Sequence, residues 1–347
     1  MTITGSLYHT IQRYRTLQTD HIHALPIVIL MPHSACNCRC VMCDIWKDNQ
    51  NLKQLTEKDI RDLLDSLKKF GTQQVLMSGG EALLNPNFFR FCEILKEQGI
   101  KVSLLSTGLT LQRHAEKLLS SVNDIIVSLD GDEAVHDRIR NLPGAFRKLS
   151  EGVSYLKKLD PGFKISSRTV IHRLNFRHWP AIIQSAKEMG IGQVSFLPAD
   201  VSSHAFNREV LWSEQRQQEI LPGENELNEL SDMVEHIIEN EAGGRFIAED
   251  PGKLRKIHLY YAAFYGKNSF PFKKCNAPWV SVVVEADGTV RPCFFHAPLG
   301  NIREHSLDKV INGEQAVAFR KQLDTATDHT CKKCVCYLHL SPGVKLN

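Results

Sequence analysis

Three cysteines near the amino end of the chain have the type and spacing to hold a metal centre. Cys36, Cys40 and Cys43 follow an apolar run at residues 27–31. Three thiolates occupy three corners of a 4Fe-4S cube and leave one iron free for a substrate or cofactor. The spacing also allows zinc with Cys38 as the fourth ligand, although cysteines two positions apart rarely complete a tetrahedron without strain.

A second candidate site follows the next apolar run along the chain. Residues 74–77 read as a strand, and Gly79, Gly80 and Glu81 follow it closely. Glycines at a strand end let the backbone approach a ligand closely, and the Glu81 carboxylate can accept from an ammonium group or water. Taken alone, the pattern also fits a plain turn.

The order of these motifs resembles that of the radical S-adenosylmethionine (SAM) enzymes. The resemblance covers residues 27–200 and continues through 106–108, 127–131, Arg168 and 196–198. It implies that the three cysteines hold a 4Fe-4S cluster and that SAM chelates the fourth iron through its amino and carboxylate groups. It also implies that an electron from the cluster cleaves SAM to a 5′-deoxyadenosyl radical, which abstracts hydrogen from a substrate.

The same resemblance assigns cofactor contacts near the cysteines. Gly79, Gly80 and Glu81 match the motif that receives the methionyl amine of SAM. Met42 stands before the third cysteine, where the family often has an aromatic residue. Its polarizable thioether can still pack against adenine.

Further contacts are implied on later strands. Ser128 and Asp130 match positions that meet the ribose hydroxyls. Arg168 matches the residue that pairs with the methionyl carboxylate, a role suited to its fixed fork of donors. Leu197 matches the position that packs against adenine or binds it through the backbone.

Five more cysteines lie toward the carboxyl end, at Cys275, Cys293, Cys331, Cys334 and Cys336. Residues 279–290 predict a β-hairpin that turns at Asp287 and Gly288, which brings the first two of these cysteines together. From this pattern alone, a zinc ribbon and an iron–sulfur site are both open.

The order of hairpin, Gly288 and later cysteines is similar to the SPASM extension or its shortened form, twitch. The full form carries seven cysteines and usually two extra clusters, whereas five cysteines are present here. The resemblance therefore implies one auxiliary 4Fe-4S cluster, with no open iron, and Cys336 as an alternative ligand or a spare thiol. Its implied ligands are Cys275, Cys293, Cys331 and Cys334. Cys38 and Cys92 are expected to be non-ligands.

Composition is that of a folded protein with a sizeable core. The chain has 347 residues, 42% of them hydrophobic and 23% charged, and a formal net charge of +3. No block of basic residues with interleaved aromatics indicates nucleic acid binding, and the longest apolar run is too short to cross a bilayer. Residues 1–23 lack the apolar segment of a signal peptide, so ten cysteines indicate a reducing cytoplasm and not disulfides.

Short apolar runs alternate with helical patterns, which predicts an α/β fold: a partial (β/α)6 TIM-like barrel followed by a small cysteine-rich α+β domain. Strands are predicted at 27–31, 73–77, 101–106, 123–129, 164–171 and 193–198, and helices at 56–70, 86–98, 110–120, 144–159, 176–189, 224–241 and 253–265. We expect an amino-terminal arm at 1–25, a core barrel at 26–200, a helical bridge at 201–270 and the cysteine-rich domain at 271–347. Ligands of parallel α/β folds bind at the carboxyl ends of the strands.

These features predict a radical SAM oxidoreductase or maturase that performs a net oxidation or a rearrangement assisted by the auxiliary cluster. The layout implies a ribosomal peptide, a sugar or an aminocyclitol as substrate, with flavodoxin or ferredoxin as electron donor. A peptide epimerase or crosslinking enzyme is the alternative within the family. A zinc-stabilised binding protein without radical chemistry is the alternative of another class. No acid, base or hydrogen donor is assigned, and the polar candidates near strand ends are His172, Asp200 and His204.

Overall fold

The computed structural model describes residues 3–241, 243–344 and 346. Its strands are β1 (Ile27–Leu30), β2 (Gln74–Met77), β3 (Lys101–Ser106), β4 (Asp124–Ser128), β5 (Lys164–Ile171), β6 (Gln193–Pro198), β7 (Ser281–Val284), β8 (Thr289–Arg291) and β9 (Gly300–Asn301). They form a single sheet in the order β6-β5-β4-β3-β2-β1-β7-β8-β9. The first six strands are all parallel.

Helices follow the strands and cover the outside of the sheet. They are α1 (Ile3–Thr19), α2 (Glu57–Lys69), α3 (Phe88–Glu97), α4 (Leu111–Ser121), α5 (Glu133–Arg140), α6 (Ala145–Leu159), α7 (Trp179–Glu188), α8 (Glu214–Gln218), α9 (Leu227–Glu241), α10 (Pro251–Phe264), α11 (Ala277–Val280), α12 (Leu307–Asn312), α13 (Glu314–Gln322) and α14 (His329–Lys333). Short 3-10 helices lie at Ile45–Asp48, Ala82–Leu84, Phe176–His178 and Glu224–Glu226. Within the described part of the chain, none of the helices combines the length and apolarity needed to span a bilayer.

The six predicted strands are confirmed, each within one residue of its expected bounds. Alternate residues of each strand face the helices and are fully buried, as Val28 and Val75 are, whereas Ile29 and Leu76 face the interior of the curved sheet and remain partly exposed. This two-sided pattern is what parallel strands with helical crossovers require. The partial barrel expected from the sequence is therefore the observed architecture.

The carboxyl-terminal hairpin is also confirmed, and it belongs to the barrel sheet. Strands β7 and β8 are antiparallel, and the turn between them contains Gly288 at φ +87°. On its other side, β7 pairs in parallel with β1, with Ile27 opposite Ser281 and Leu30 opposite Val284. Backbone hydrogen bonds thus join the cysteine-rich segment to the barrel. The domain bounds predicted from sequence stay a prediction.

The seven predicted helices are all present, and the structure adds others, among them α5, α8 and the short helices of the carboxyl-terminal segment. Helix α2 begins with a capping box in which the Asp59 backbone N–H donates to Thr56 Oγ1 and the Thr56 backbone N–H donates to Asp59 Oδ2. Helix α5 was not expected. It is short, begins at an Asp132 cap and ends at Asn141 in the left-handed conformation. Its last residues lie against the cysteine loop.

Candidate active site and auxiliary metal centre

The loop after β1 gathers three thiols at the carboxyl end of the barrel. Cys36, Cys40 and Cys43 are close enough to perturb one another electrostatically. Burial raises the pKa of Cys36 and of Cys43 to about 12. A hydrogen bond from Cys38, together with the nearby Arg140 charge, lowers the pKa of Cys40 to about 6. Three clustered thiols fit a cluster with one open iron, and a metal would replace the protons that burial holds on two of them.

Gly80 has no room for a side chain because it packs on the backbone of this loop. A Cβ atom at Gly80 would lie 2.1 Å from the Ala35 carbonyl oxygen. The adjacent Glu81 backbone N–H donates to the same oxygen at 2.9 Å. Gly79 adopts φ +109°, a conformation that favours glycine. The two glycines therefore bring the end of β2 against the residue that precedes Cys36.

The Glu81 side chain is fully buried and joins the ends of two strands. Its Oε2 accepts from Ser106 Oγ at 2.9 Å and from the Thr107 backbone N–H and hydroxyl at 2.8 and 2.7 Å. Its Oε1 accepts from the Leu83 N–H at 3.2 Å. Burial raises the pKa of Glu81, and these donors oppose that rise. The structure thus fixes the carboxylate beside the cysteine loop, and its contact with a SAM amine stays a prediction.

Asp130 is fully buried and forms an ion pair with Arg140. Arg140 Nη1 in turn lies 3.5 Å from Cys40 Sγ. Ser128 faces the barrel interior opposite Arg168 in the strand register. The ribose contact predicted for Ser128 and Asp130 stays a prediction, and the contact that the structure gives Asp130 is with Arg140.

The sequence interpretation did not identify Arg140. It lies at the end of α5, a helix that the hydrophobic pattern did not reveal. The available signals were the capping residue Asp132 and the stop formed by Asn141 and Pro143. Those signals locate the helix but do not place Arg140 beside a cysteine.

A loop segment at residues 200–212 lies against the other side of the cysteine loop. Arg208 and Asp200 form a fully buried ion pair. Arg208 Nη2 also donates to the Met42 carbonyl at 3.3 Å, and its guanidinium stacks on Trp212 at 4.0 Å. Trp212 Nε1 donates to Asp44 Oδ2 at 2.7 Å. This segment therefore restrains the residues on both sides of Cys43, and the adenine contact predicted for Met42 is not tested.

Four cysteines of the carboxyl-terminal segment meet around one small pocket. Cys275, Cys293, Cys331 and Cys334 line it, and their thiols perturb one another electrostatically. Burial raises the pKa of Cys293 to about 11 and raises the pKa of Cys331 and Cys334 further. Cys336 lines the same pocket. This donor set fits one four-thiolate cluster, as the sequence predicts.

The same pocket offers a nitrogen ligand that the sequence interpretation did not weigh. His296 Nε2 lies 3.4 Å from Cys331 Sγ. Ligand atoms of His296, Asp328 and Cys331 all lie within 4.8 Å of one another. Because thiolate with imidazole also suits zinc, the geometry of this pocket alone is compatible with either metal.

A cavity of about 520 Å³ inside the barrel reaches cysteines of the second group, and no cysteine of the first group lines it. At one end it is lined by Ser78, Arg168 and Leu197, and at the other by Cys293, Cys334 and Cys336. Its walls combine apolar side chains such as Ile29 and Leu76 with charged ones. The charged groups are Arg168, Lys253, Lys256 and Lys273 against the single acidic Glu249. Such a volume suits a small molecule or part of a larger one.

The polar candidates near strand ends have structural contacts. His172 is fully buried, and burial together with the Arg140 charge lowers its pKa to about 3. Asp200 is paired with Arg208, and His204 Nδ1 lies 3.0 Å from the Arg208 carbonyl. None of the three lines the barrel cavity described above.

Two family models match the parts of the chain that contain most of the cysteines. The family model of the Radical SAM superfamily matches residues 30–186. The model of an iron–sulfur cluster-binding domain, SPASM, matches residues 275–335. The first interval contains Cys36, Cys40 and Cys43, and the second begins at Cys275.

Individual relatives cover most of the chain. It is 26% identical to Fe-coproporphyrin III synthase of Methanosarcina barkeri over 89% of this chain and 80% of that protein. It is 24% identical to the cysteine-type anaerobic sulfatase-maturating enzyme of Clostridium novyi, and the match covers 93% of this chain and 88% of that protein. The structure of Streptococcus suis SuiB bound to the precursor peptide SuiA superposes with a TM-score of 0.64 at 15% identity, over 92% of this chain and 73% of that one. At that identity the likeness to SuiB shows the fold.

Proposed function

Since the chain belongs to the radical SAM superfamily and ends in a SPASM domain, we propose that it oxidises or rearranges a substrate held between two iron–sulfur clusters. When bound, the first cluster and SAM supply a 5′-deoxyadenosyl radical that abstracts hydrogen from the substrate. The protein's part is to bind, orient and shield the reactants. Assignment to the oxidoreductases is part of the proposal.

Most of the predicted site residues have a distinct part in this proposal. Cys36, Cys40 and Cys43 hold the first cluster, and Arg168 binds the methionyl carboxylate of SAM. The motif formed by Gly79, Gly80 and Glu81 receives the methionyl amine. The four other thiolates would hold one auxiliary cluster without an open iron, which would serve as acceptor or relay for an electron from the substrate radical.

One observation carries the proposal: a single cavity is lined both by Arg168 and Leu197, two of the predicted SAM residues, and by cysteines of the second group. Arg168 and Leu197 line one end and Cys293 and Cys334 line the other. A substrate in this cavity would contact both ends at once. A protein with only structural zinc has no need of such a cavity.

The lining of the cavity favours an anionic substrate. The cavity is lined by four cationic side chains, three lysines and Arg168, and by one carboxylate, Glu249. The Glu249 carboxylate accepts a hydrogen bond from the Phe196 N–H at 3.0 Å. Burial raises the pKa of Glu249, while the nearby charges of Arg168 and Lys253 oppose that rise. We therefore propose a peptide substrate with acidic side chains, consistent with relatives that mature sulfatases or bind a precursor peptide.

A second candidate substrate is a porphyrin. The cavity charge suits the carboxylates of a coproporphyrin as well as those of a peptide. A relative at 26% identity is an Fe-coproporphyrin III synthase, and its match spans most of both chains.

Anaerobic purification with assay of iron, sulfide and zinc tests the cluster assignment. Two 4Fe-4S clusters give about eight irons per chain, one gives about four, and zinc without iron supports a scaffold protein instead. SAM with dithionite, or with flavodoxin or ferredoxin as donor, should release 5′-deoxyadenosine. Cys40→Ala should abolish release and remove about four irons, whereas Cys92→Ala, at a buried position in α3, should retain both.

Substrate classes are distinguished by their effect on 5′-deoxyadenosine release. An acidic precursor peptide encoded beside the gene should accelerate the release of 5′-deoxyadenosine. The mass of the peptide should change in the same reaction. Iron coproporphyrin III should do so instead if the porphyrin proposal is correct. A neutral sugar or aminocyclitol that accelerates release while neither anion does would refute the charge argument. Lys253→Gln combined with Lys256→Gln should raise the KM of the true substrate, with Lys157→Gln on α6 as control.

A further inference from the structure

We propose that Arg140, held by Asp130, raises the reduction potential of the cluster bound by Cys36, Cys40 and Cys43. This inference rests on the first cluster and is independent of the substrate. Arg140 is a positioning and electrostatic residue, and no SAM contact is assigned to it. Asp130 then acts through Arg140.

Arg140 meets Cys40 by its side chain, while the backbone of α5 holds the residues on either side of that cysteine. Its Nη1 lies 3.5 Å from Cys40 Sγ. The Arg140 carbonyl accepts from the Arg39 N–H at 3.1 Å, and the Ile139 carbonyl accepts from the Val41 N–H at 3.0 Å. The end of α5 therefore fixes both the position of the sulfur and its distance from the guanidinium.

The surroundings leave Asp130 as the fixed counter-charge of Arg140. Both side chains are buried, with Asp130 at 0% and Arg140 at 6% exposure. His136 Nδ1 accepts from the Asp130 backbone N–H at 3.2 Å, and burial lowers the pKa of His136 well below its usual value. His172 is kept neutral in the same way. One cation thus lies between a carboxylate and a sulfur in a poorly screened environment.

Hydrogen bonds to cluster sulfurs and nearby charges are the means by which proteins set cluster potentials. A cation at the sulfur stabilises the reduced cluster, which carries one more negative charge. Asp130 acts in the opposite direction because it is an anion next to the same cation. The two residues should therefore shift the potential with opposite signs when each is neutralised.

Redox titration followed by EPR on the reconstituted full-length protein tests this inference. The first cluster is identified in the spectrum because SAM binding perturbs its signal. Arg140→Met should lower the ratio of reduced to oxidised cluster about tenfold at a fixed potential, which corresponds to about 59 mV for one electron. Arg140→Lys should recover part of that loss, and Asp130→Asn should raise the ratio.

Arg320→Met is the matched control, because Arg320 is equally buried but donates to the Asp20 and Ile311 carbonyls. It should leave the potential unchanged. A fully loaded Arg140→Met protein with the wild-type potential would overturn the inference, and so would shifts of the same sign in Arg140→Met and Asp130→Asn. If Arg140→Met fails to load a cluster, the Asp130→Asn variant provides the test. A higher ratio of reduced to oxidised cluster in that variant supports the inference, and an unchanged ratio overturns it.

Discussion

Replacing Gly80 with alanine should weaken SAM binding because it pushes a methyl group into the backbone of the cysteine loop. The new Cβ would lie 2.1 Å from the Ala35 oxygen and 2.6 Å from the Ala35 carbonyl carbon. Contacts shorter than 3.0 Å force a displacement, so one of the two segments must move by about 0.9 Å. Backbone cannot rotate away as the end of a flexible side chain can.

Overpacking of this kind costs about 1–3 kcal/mol. If that cost falls on the state in which the loop and the glycine motif are aligned, SAM affinity decreases about 5- to 150-fold. Equilibrium dialysis of anaerobic protein with labelled SAM measures the affinity. Iron content, assayed on the same samples, shows whether the cluster is still present.

Gly192→Ala is the appropriate control. A Cβ at Gly192 would meet the Ile165 carbonyl at an ordinary 3.6 Å, and Gly192 does not have a positive φ. This variant should bind SAM as the wild type does. Wild-type affinity in Gly80→Ala would show that the glycine motif and the cysteine loop do not need this close approach.

Three further outcomes follow from the structure. Cys336→Ala should keep about eight irons per chain, because four other thiolates complete the auxiliary site. Arg208→Met should lower the free energy of unfolding by about 3–5 kcal/mol in anaerobic denaturant titrations, because it leaves Asp200 buried without its cation. His172 has a folded pKa of about 3, below its unfolded value of about 6.5, so its contribution to stability is complete above pH 6.5 and decreases as the pH falls. Between pH 7.5 and 5 this residue should cost about 2 kcal/mol of unfolding free energy, and His172→Gln should remove that part of the pH dependence.

Each outcome has a comparison that can contradict it. The iron content of Cys334→Ala should fall to about four irons per chain. Equal losses of iron in Cys334→Ala and Cys336→Ala would show that both residues are ligands. Arg255→Met removes an exposed pair with Glu235 and should cost less than about 1 kcal/mol, so a similar cost at Arg208 would contradict its buried role. An unchanged pH profile in His172→Gln would mean that His172 is not the group that titrates.

The barrel could be predicted because its signals are local. Each parallel strand is a short apolar run buried on its outer face, and the helices between strands carry a regular apolar stripe. The first cysteine group was visible for the same reason, since Cys36, Cys40 and Cys43 are close together in the sequence. The hairpin could be read from Asp287 and Gly288, but its pairing with β1 joins residues that are distant in sequence.

Contacts between distant residues explain what the sequence did not reveal. Arg140 is one arginine among many until α5 places it beside Cys40, 100 residues away in sequence. Arg208 lies in an irregular segment whose contact with the Met42 carbonyl has no periodic pattern to indicate it. The cationic lining of the cavity likewise combines side chains from β5, from α10 and from the segment after it. Such combinations depend on the completed fold.

The pairing of β7 with β1 has a consequence for electron transfer. Cys293 lies just beyond β8, the partner of β7, and the loop with Cys36 begins just beyond β1. Because β8 runs antiparallel to β7 and β1, the loop with Cys36 lies beyond the carboxyl end of β1, whereas Cys293 lies toward its amino end, and one hydrogen-bonded ladder joins the two. An electron relayed between the two predicted clusters would therefore have to pass along the barrel interior.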